Sequence, residues 1–173
     1  MSDTIITIPI LNGVQTHATS SPLFDVGYPA VLKFDTLSQE VTYATILTDH
    51  YLSGNLRIKI IWTANPYVAG TYSWLVSFYN LKVGESISKS LDTSGTISST
   101  DPGTSVQSDT VTFPHADLAY SGSDPVNQLI KLNFKLTGLP TNAAAIVGHI
   151  YLGGNLLSFN PKRHGKLTGL TSA

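Results

Sequence analysis

Leu56-Arg57-Ile58-Lys59-Ile60-Ile61-Trp62-Thr63 is the stretch that decides the fold. Leu56, Ile58, Ile60 and Trp62 stand two residues apart, with Arg57, Lys59, Ile61 and Thr63 between them. A β-strand points successive side chains to opposite faces, so this spacing makes one face apolar and the other mostly wet. Tyr72, Trp74, Val76 and Phe78 repeat the pattern against Ser73, Leu75 and Ser77. Ile130, Leu132, Phe134 and Leu136 repeat it against Lys131, Asn133 and Lys135.

Outward from these three, weaker strands are predicted at Ala30 to Phe34, Val41 to Leu47, Ser86 to Leu91, Ser105 to Phe113 and Ala145 to Leu152. Turn residues punctuate them: Ser53-Gly54-Asn55, Asn65-Pro66, Ala69-Gly70, Asp101-Pro102-Gly103, Ser121 to Pro125 and Gly138-Leu139-Pro140. No stretch predicts a helix of three turns, and Pro114 to Tyr120 reads as a single turn between strands. So many short strands with polar turns predict an all-β protein, an antiparallel β-sandwich. The connections Asp92 to Thr104 and Ala116 to Asn127 are too long for tight hairpins, which makes the sandwich jelly-roll-like. The chain divides into an N-terminal arm (1–28), the sandwich (29–153) and a C-terminal tail (154–173). The two end segments either add edge strands to the sandwich or reach out to a neighbour.

Composition narrows the function classes. The 173 residues suit one domain with its own core. The absence of Cys removes disulfides, thiolate nucleophiles and Cys-based zinc sites. A net charge of −1 lacks the clustered cations of a nucleic-acid binder. No apolar run approaches the roughly 20 residues of a bilayer helix. Met1-Ser2-Asp3-Thr4 carries no basic region, so no export signal is expected. Charged residues are only 12% of the chain, about half the ordinary share, while Ser and Thr number 39. Such a neutral, hydroxyl-rich surface suits strand faces, and equally a protein packed against copies of itself.

Chemistry-bearing patterns are nearly absent. There is no Gly-x-Ser-x-Gly elbow, phosphate-binding glycine loop or His-Glu-x-x-His. His17, His50, His115, His149 and His164 are scattered, and His115 with Asp117 reads as an exposed turn rather than a metal or acid–base pair. A glycosidase needs two facing carboxylates, yet only Glu40 and Glu85 are glutamates and most aspartates sit in turns. The expectation is therefore no enzyme, cofactor or metal. Trp62 and Trp74 are in phase with apolar neighbours, which assigns them to the core instead of a sugar-stacking platform. Tyr67 and Tyr120, near turns, are the better platform candidates.

From Pro29-Ala30-Val31-Leu32-Lys33-Phe34 onward the chain resembles a recurrent virion structural module of tailed bacteriophages. The resemblance is carried by Tyr51 to Trp62, a turn feeding a strand that ends on Trp, and by Gly70 to Phe78, the second Trp strand. Phe113-Pro114-His115-Ala116-Asp117-Leu118, Leu129 to Phe134 and the closing Val147-Gly148-His149-Ile150-Tyr151-Leu152 complete it. Similar modules usually carry acidic residues before the last strand, where this chain has Ala143-Ala144-Ala145-Ile146. The resemblance implies a jelly-roll-like part of a head decoration protein, head fibre or tail fibre, often trimeric, with no catalytic residues to carry over.

It leads to an expected capsid decoration (cement) protein, made in the host cytoplasm, that sits on the outer head surface of the virion. Its partners would be copies of itself and the major capsid protein, with neither nucleic acid nor membrane. The alternative is a receptor- or glycan-binding module of a tail fibre or baseplate, using Tyr67 and Tyr120. Attachment is expected through the end segments. Ile5, Ile6, Ile8 and Ile10 offer a strand to a neighbour's sheet edge. Lys162, Arg163 and Lys166 would steer the chain toward an acidic shell. Sedimentation velocity at micromolar concentration should then show a closed homotrimer; a monomer that also fails to assemble on capsids would contradict the expectation.

Overall fold

A computed structural model describes residues 4–10, 23–25, 30–46, 50–86, 88–118 and 128–158. Among the described residues ten strands appear in chain order: β1 (Thr4–Ile8), β2 (Leu23–Asp25), β3 (Val31–Phe34), β4 (Glu40–Ile46), β5 (His50–Ala64), β6 (Thr71–Lys82), β7 (Thr93–Thr100), β8 (Gln107–Phe113), β9 (Gln128–Gly138) and β10 (Ala145–Ser158). One sheet runs β2-β3-β10-β5-β8, with β1 also paired to β10; the other runs β4-β9-β6-β7. Every strand pairing within the two sheets is antiparallel. From β3 to β10 each connection except β6–β7 crosses to the other sheet. That alternation is jelly-roll wiring: strands adjacent in sequence face each other across the core.

The dry faces of the patterned strands meet in the middle. Leu56, Ile58, Ile60 and Trp62 of β5 lie against Tyr72, Trp74, Val76 and Phe78 of β6, all 1% exposed or less. The Trp62 and Trp74 rings meet edge to face at 4.9 Å, with Tyr72 5.3 Å from Trp62 and Phe34 6.1 Å from Trp74. Trp62 Nε1 donates to Asp109 Oδ2 at 2.7 Å, so β8 is tied to the same cluster. Burial of the Trp62 N–H is compensated by this acceptor, whereas the buried Trp74 Nε1 has no hydrogen-bond partner among the described residues. Farther along, Phe78 packs on Phe113 at 6.1 Å, and Phe134 meets Tyr43 at 6.0 Å. Burial holds the Tyr43 phenol well above its ordinary pKa, and its hydroxyl donates to the Ile10 carbonyl at 2.8 Å.

One sequence expectation changes. Ser86 to Leu91, expected as a strand, belongs to the β6–β7 connection, and the expected loop Asp92 to Thr104 holds β7. β7 is an edge strand that buries only Ile97 fully, so it shows almost no apolar alternation. Its Gly95 faces β8 so closely that a Cβ would lie 2.5 Å from Val111 Cγ2 and 3.1 Å from Phe113 Cε1. In the leader, whose sequence left open an added edge strand or an arm to a neighbour, β1 pairs with β10 of its own chain, and Ile8 and Ile10 are buried at 6% and 7% exposure. Their apolar surface is covered by the sandwich.

The β6–β7 connection is held by charge. Lys89 Nζ donates to the Asn80 carbonyl at 2.6 Å and lies 3.2 Å from Glu85 Oε2 and 3.3 Å from Asp92 Oδ1. Glu85 Oε2 accepts the Lys82 N–H at 2.8 Å, and this bond, followed by the one from Lys89, lowers the Glu85 pKa.

Trp74→Ala should cost about 3–5 kcal/mol in urea unfolding, as for other buried large aromatics, and Gly95→Ala about 1–3 kcal/mol through overpacking. A Gly95→Ala protein as stable as wild type would show that β7 stands off β8. A carboxylate with a depressed folded-state pKa contributes stability above its unfolded pKa and loses it as pH falls through the folded value. Amide exchange at Lys82 should accelerate, relative to intrinsic rates, as pH drops below the ordinary glutamate range, and Glu85→Gln should abolish that pH response.

Candidate functional site

The outward residues of β5 make the site. With Leu56, Ile58 and Ile60 inside, Arg57, Lys59 and Ile61 must stand on the opposite face of the sheet. β10 reaches that face by an irregularity. Val147 pairs with Trp62 and His149 with Ile61, so two steps on β10 match one on β5 and Gly148 is the extra residue. A bulge of this kind inverts the side-chain phase beyond it. Ala145 and Val147 point inward before it; after it Ile150 and Leu152 do, which turns His149, Tyr151 and Gly153 outward.

Register then aligns three ranks across β10, β5 and β8. His149, Ile61 and Ser108 form one, Tyr151, Lys59 and Thr110 the next, and Gly153, Arg57 and Thr112 the third. Gly153 contributes no side chain, leaving a dip between the taller residues. The result is a cleft of about 490 Å³ lined by Arg57, Lys59, Ile61, Thr110, Tyr151 and Gly153. Tyr151 supplies a ring, which His149 stacks upon with centroids 5.7 Å apart and planes 15° apart. Arg57 and Lys59 supply N–H donors, and the Thr110 hydroxyl both donates and accepts. An apolar platform ringed by a few convergent polar groups is a common form of small-ligand site.

The residues singled out from the sequence lie elsewhere. Tyr67, in the β5–β6 loop, is half-buried against the core and does not line the cleft. Tyr120, Lys162, Arg163 and Lys166 lie outside the described residues, and of Ile5 and Ile6 only the backbone in β1 is described. Sequence reasoning missed the cleft, although Arg57 and Lys59 at alternate positions on the wet face of β5 were visible. Missing was the Gly148 bulge, without which strict alternation from Val147 sends Tyr151 inward. Among the described residues no three His, Asp or Glu side chains converge as metal ligands.

No protein-family model matches the chain, and no curated protein matches it. Solved structures do. The CBM36-1 domain of a multidomain xylanase from the hindgut metagenome of Trinervitermes trinervoides aligns with TM-score 0.51 at 13% identity, over 89% of this chain and 98% of that one. A carbohydrate-binding module CBM36 in complex with calcium and xylotriose aligns with TM-score 0.48 at 13% identity, over 89% and 99%. A putative sugar binding protein from Bacteroides thetaiotaomicron VPI-5482 aligns with TM-score 0.45 at 7% identity, over 83% and 86%. At these identities the first likeness speaks to architecture: the chain is an antiparallel β-sandwich of jelly-roll type.

Proposed function

We propose that the protein is a non-catalytic glycan-binding jelly roll whose sugar site is the cleft over β10, β5 and β8. The observation that carries this reading is the cleft itself, with the Tyr151 ring beside Arg57, Lys59 and the Thr110 hydroxyl. Sugars present apolar C–H faces that pack on aromatic rings and hydroxyls that pair with such donors. The residues stand on paired strands, which hold a site more rigidly than loops do. The CBM36-1 domain of a multidomain xylanase has the same architecture, which makes the reading compatible with the fold.

Of the two virion roles, this favours the receptor- or glycan-binding module over the capsid cement. A cement protein needs a surface for the shell, and two of the apolar residues assigned to that contact, Ile8 and Ile10, are taken up by the core. The virion setting itself is supported by the resemblance of residues 29–153 to phage structural modules.

A neutral and acidic oligosaccharide array followed by titration calorimetry tests the reading. Wild type should bind at least one glycan, and Tyr151→Ala should weaken it roughly tenfold, the loss of about one aromatic contact. The melting temperature should barely move, because Tyr151 faces away from the core. A wild-type protein that ignores every glycan but coats undecorated capsids would replace this reading with the cement one.

A further inference from the structure

The cleft is lopsided in charge. Its lining holds two cations, Arg57 and Lys59, and no carboxylate. Lys33 of β3 is outward on the same sheet face, since Leu32 and Phe34 on either side of it are buried. His149 stands outward on β10, exposed beside Tyr151. The described carboxylates are elsewhere. Asp109 of β8 is turned to the Trp62 indole, Glu40 is on β4 of the other sheet, and Asp35, Glu85, Asp92, Asp101 and Asp117 lie in connections between strands. Asp25 pairs in register with Val31 at the far edge of the sheet, on β2, two strand spacings or roughly 10 Å from β10. The whole chain has a net charge of −1, so among the described residues this is segregation of charge and not general basicity.

Lys59 is the central group. It sits between Tyr151 and Thr110, half-buried, and makes no ion pair among the described residues. A partly desolvated ammonium without a counter-charge gains from an incoming anion more than one in bulk water does. We infer that the cleft selects oligosaccharides bearing an anionic substituent, a uronic-acid carboxylate or a sulfate ester, with Lys59 meeting the charge while Tyr151 packs on the ring. The inference rests on the glycan-binding reading and adds the ligand's charge to it.

The test compares four probes by calorimetry at about 20 and about 300 mM salt: a galacturonic-acid tetramer, a sulfated tetrasaccharide, a neutral xylose tetramer and a short oligo-dT strand. The acidic sugars should bind about tenfold tighter than the neutral one at low salt, the worth of one charge-assisted hydrogen bond, and lose most of that margin at high salt. Whichever acidic sugar binds tighter tells carboxylate from sulfate. Lys59→Gln should erase the margin, Lys59→Arg should restore it, and Lys135→Gln on the opposite sheet should leave it intact. A neutral sugar bound as tightly as the acidic ones, through Tyr151, would overturn the charge preference and keep the glycan site. Oligo-dT bound as tightly as either acidic sugar would overturn it in favour of plain polyanion binding. No sugar bound at all would overturn both.

Discussion

The edge-to-face contact of Trp62 and Trp74 is the point from which the rest of the sandwich is positioned. Trp62 belongs to β5 and Trp74 to β6, the central strands that face each other across the core, and their rings close the gap at 4.9 Å. Two sheets pack with their backbones about 10 Å apart, and side chains of this size fill that distance from both sides. The indole of Trp62 also reaches β8 through Asp109, while Tyr72 beside it donates to the Val68 carbonyl at 2.8 Å and steadies the β5–β6 loop. One aromatic cluster therefore sets the spacing of the sheets, anchors an edge strand and shapes a loop. The Val68 hydrogen bond, and the packing of Tyr67 and Val68 against the core, commit that loop to structure.

The parts of the fold legible in the sequence were those where physics writes a period. β5, β6 and β9 bury every second residue, and a two-residue repeat of apolar side chains has no other simple reading. β7 was not legible, because an edge strand with one fully buried apolar side chain leaves nothing periodic to see. The apolar residues in the Ser86 to Leu91 stretch of the sequence drew the expected strand to the wrong place. The leader was ambiguous for another reason. An apolar stretch such as Ile5 to Ile10 pairs equally well with any open sheet edge, its own or a neighbour's, and only the free flank of β10 decides between them.

The site was half legible. Arg57 and Lys59 followed from the phase of β5, since whatever alternates with a buried residue is outward. Tyr151 did not follow, because its direction depends on a single inserted residue, Gly148, that reverses the phase of β10. Before Gly148 the strand obeys one alternation and after it the opposite one, and no composition rule announces the change. The aromatic residues that looked available in loops were thus the wrong ones to choose. Tyr67 is tied to the core, whereas the ring that reaches the cleft comes from a strand whose alternation reads inward.

That bulge links stability to function. β10 must pair with β3 and β1 on one side and β5 on the other, so both of its edges are occupied. A strand fixed on both edges cannot rotate to present a new residue, and its facing pattern changes only by adding one. Gly148 is that addition, and it stands where the pairing of β10 passes from β3, through Val147, to β1, through Ile150. The break between the two partners is where an unpaired residue disturbs the fewest ladder bonds. Ile150 and Leu152 still reach the core, and the same shift carries His149, Tyr151 and Gly153 to the outer face. The cleft is therefore a consequence of how the sheet accommodates two short strands along one long one, with Arg57 and Lys59 of β5 on the same outer face.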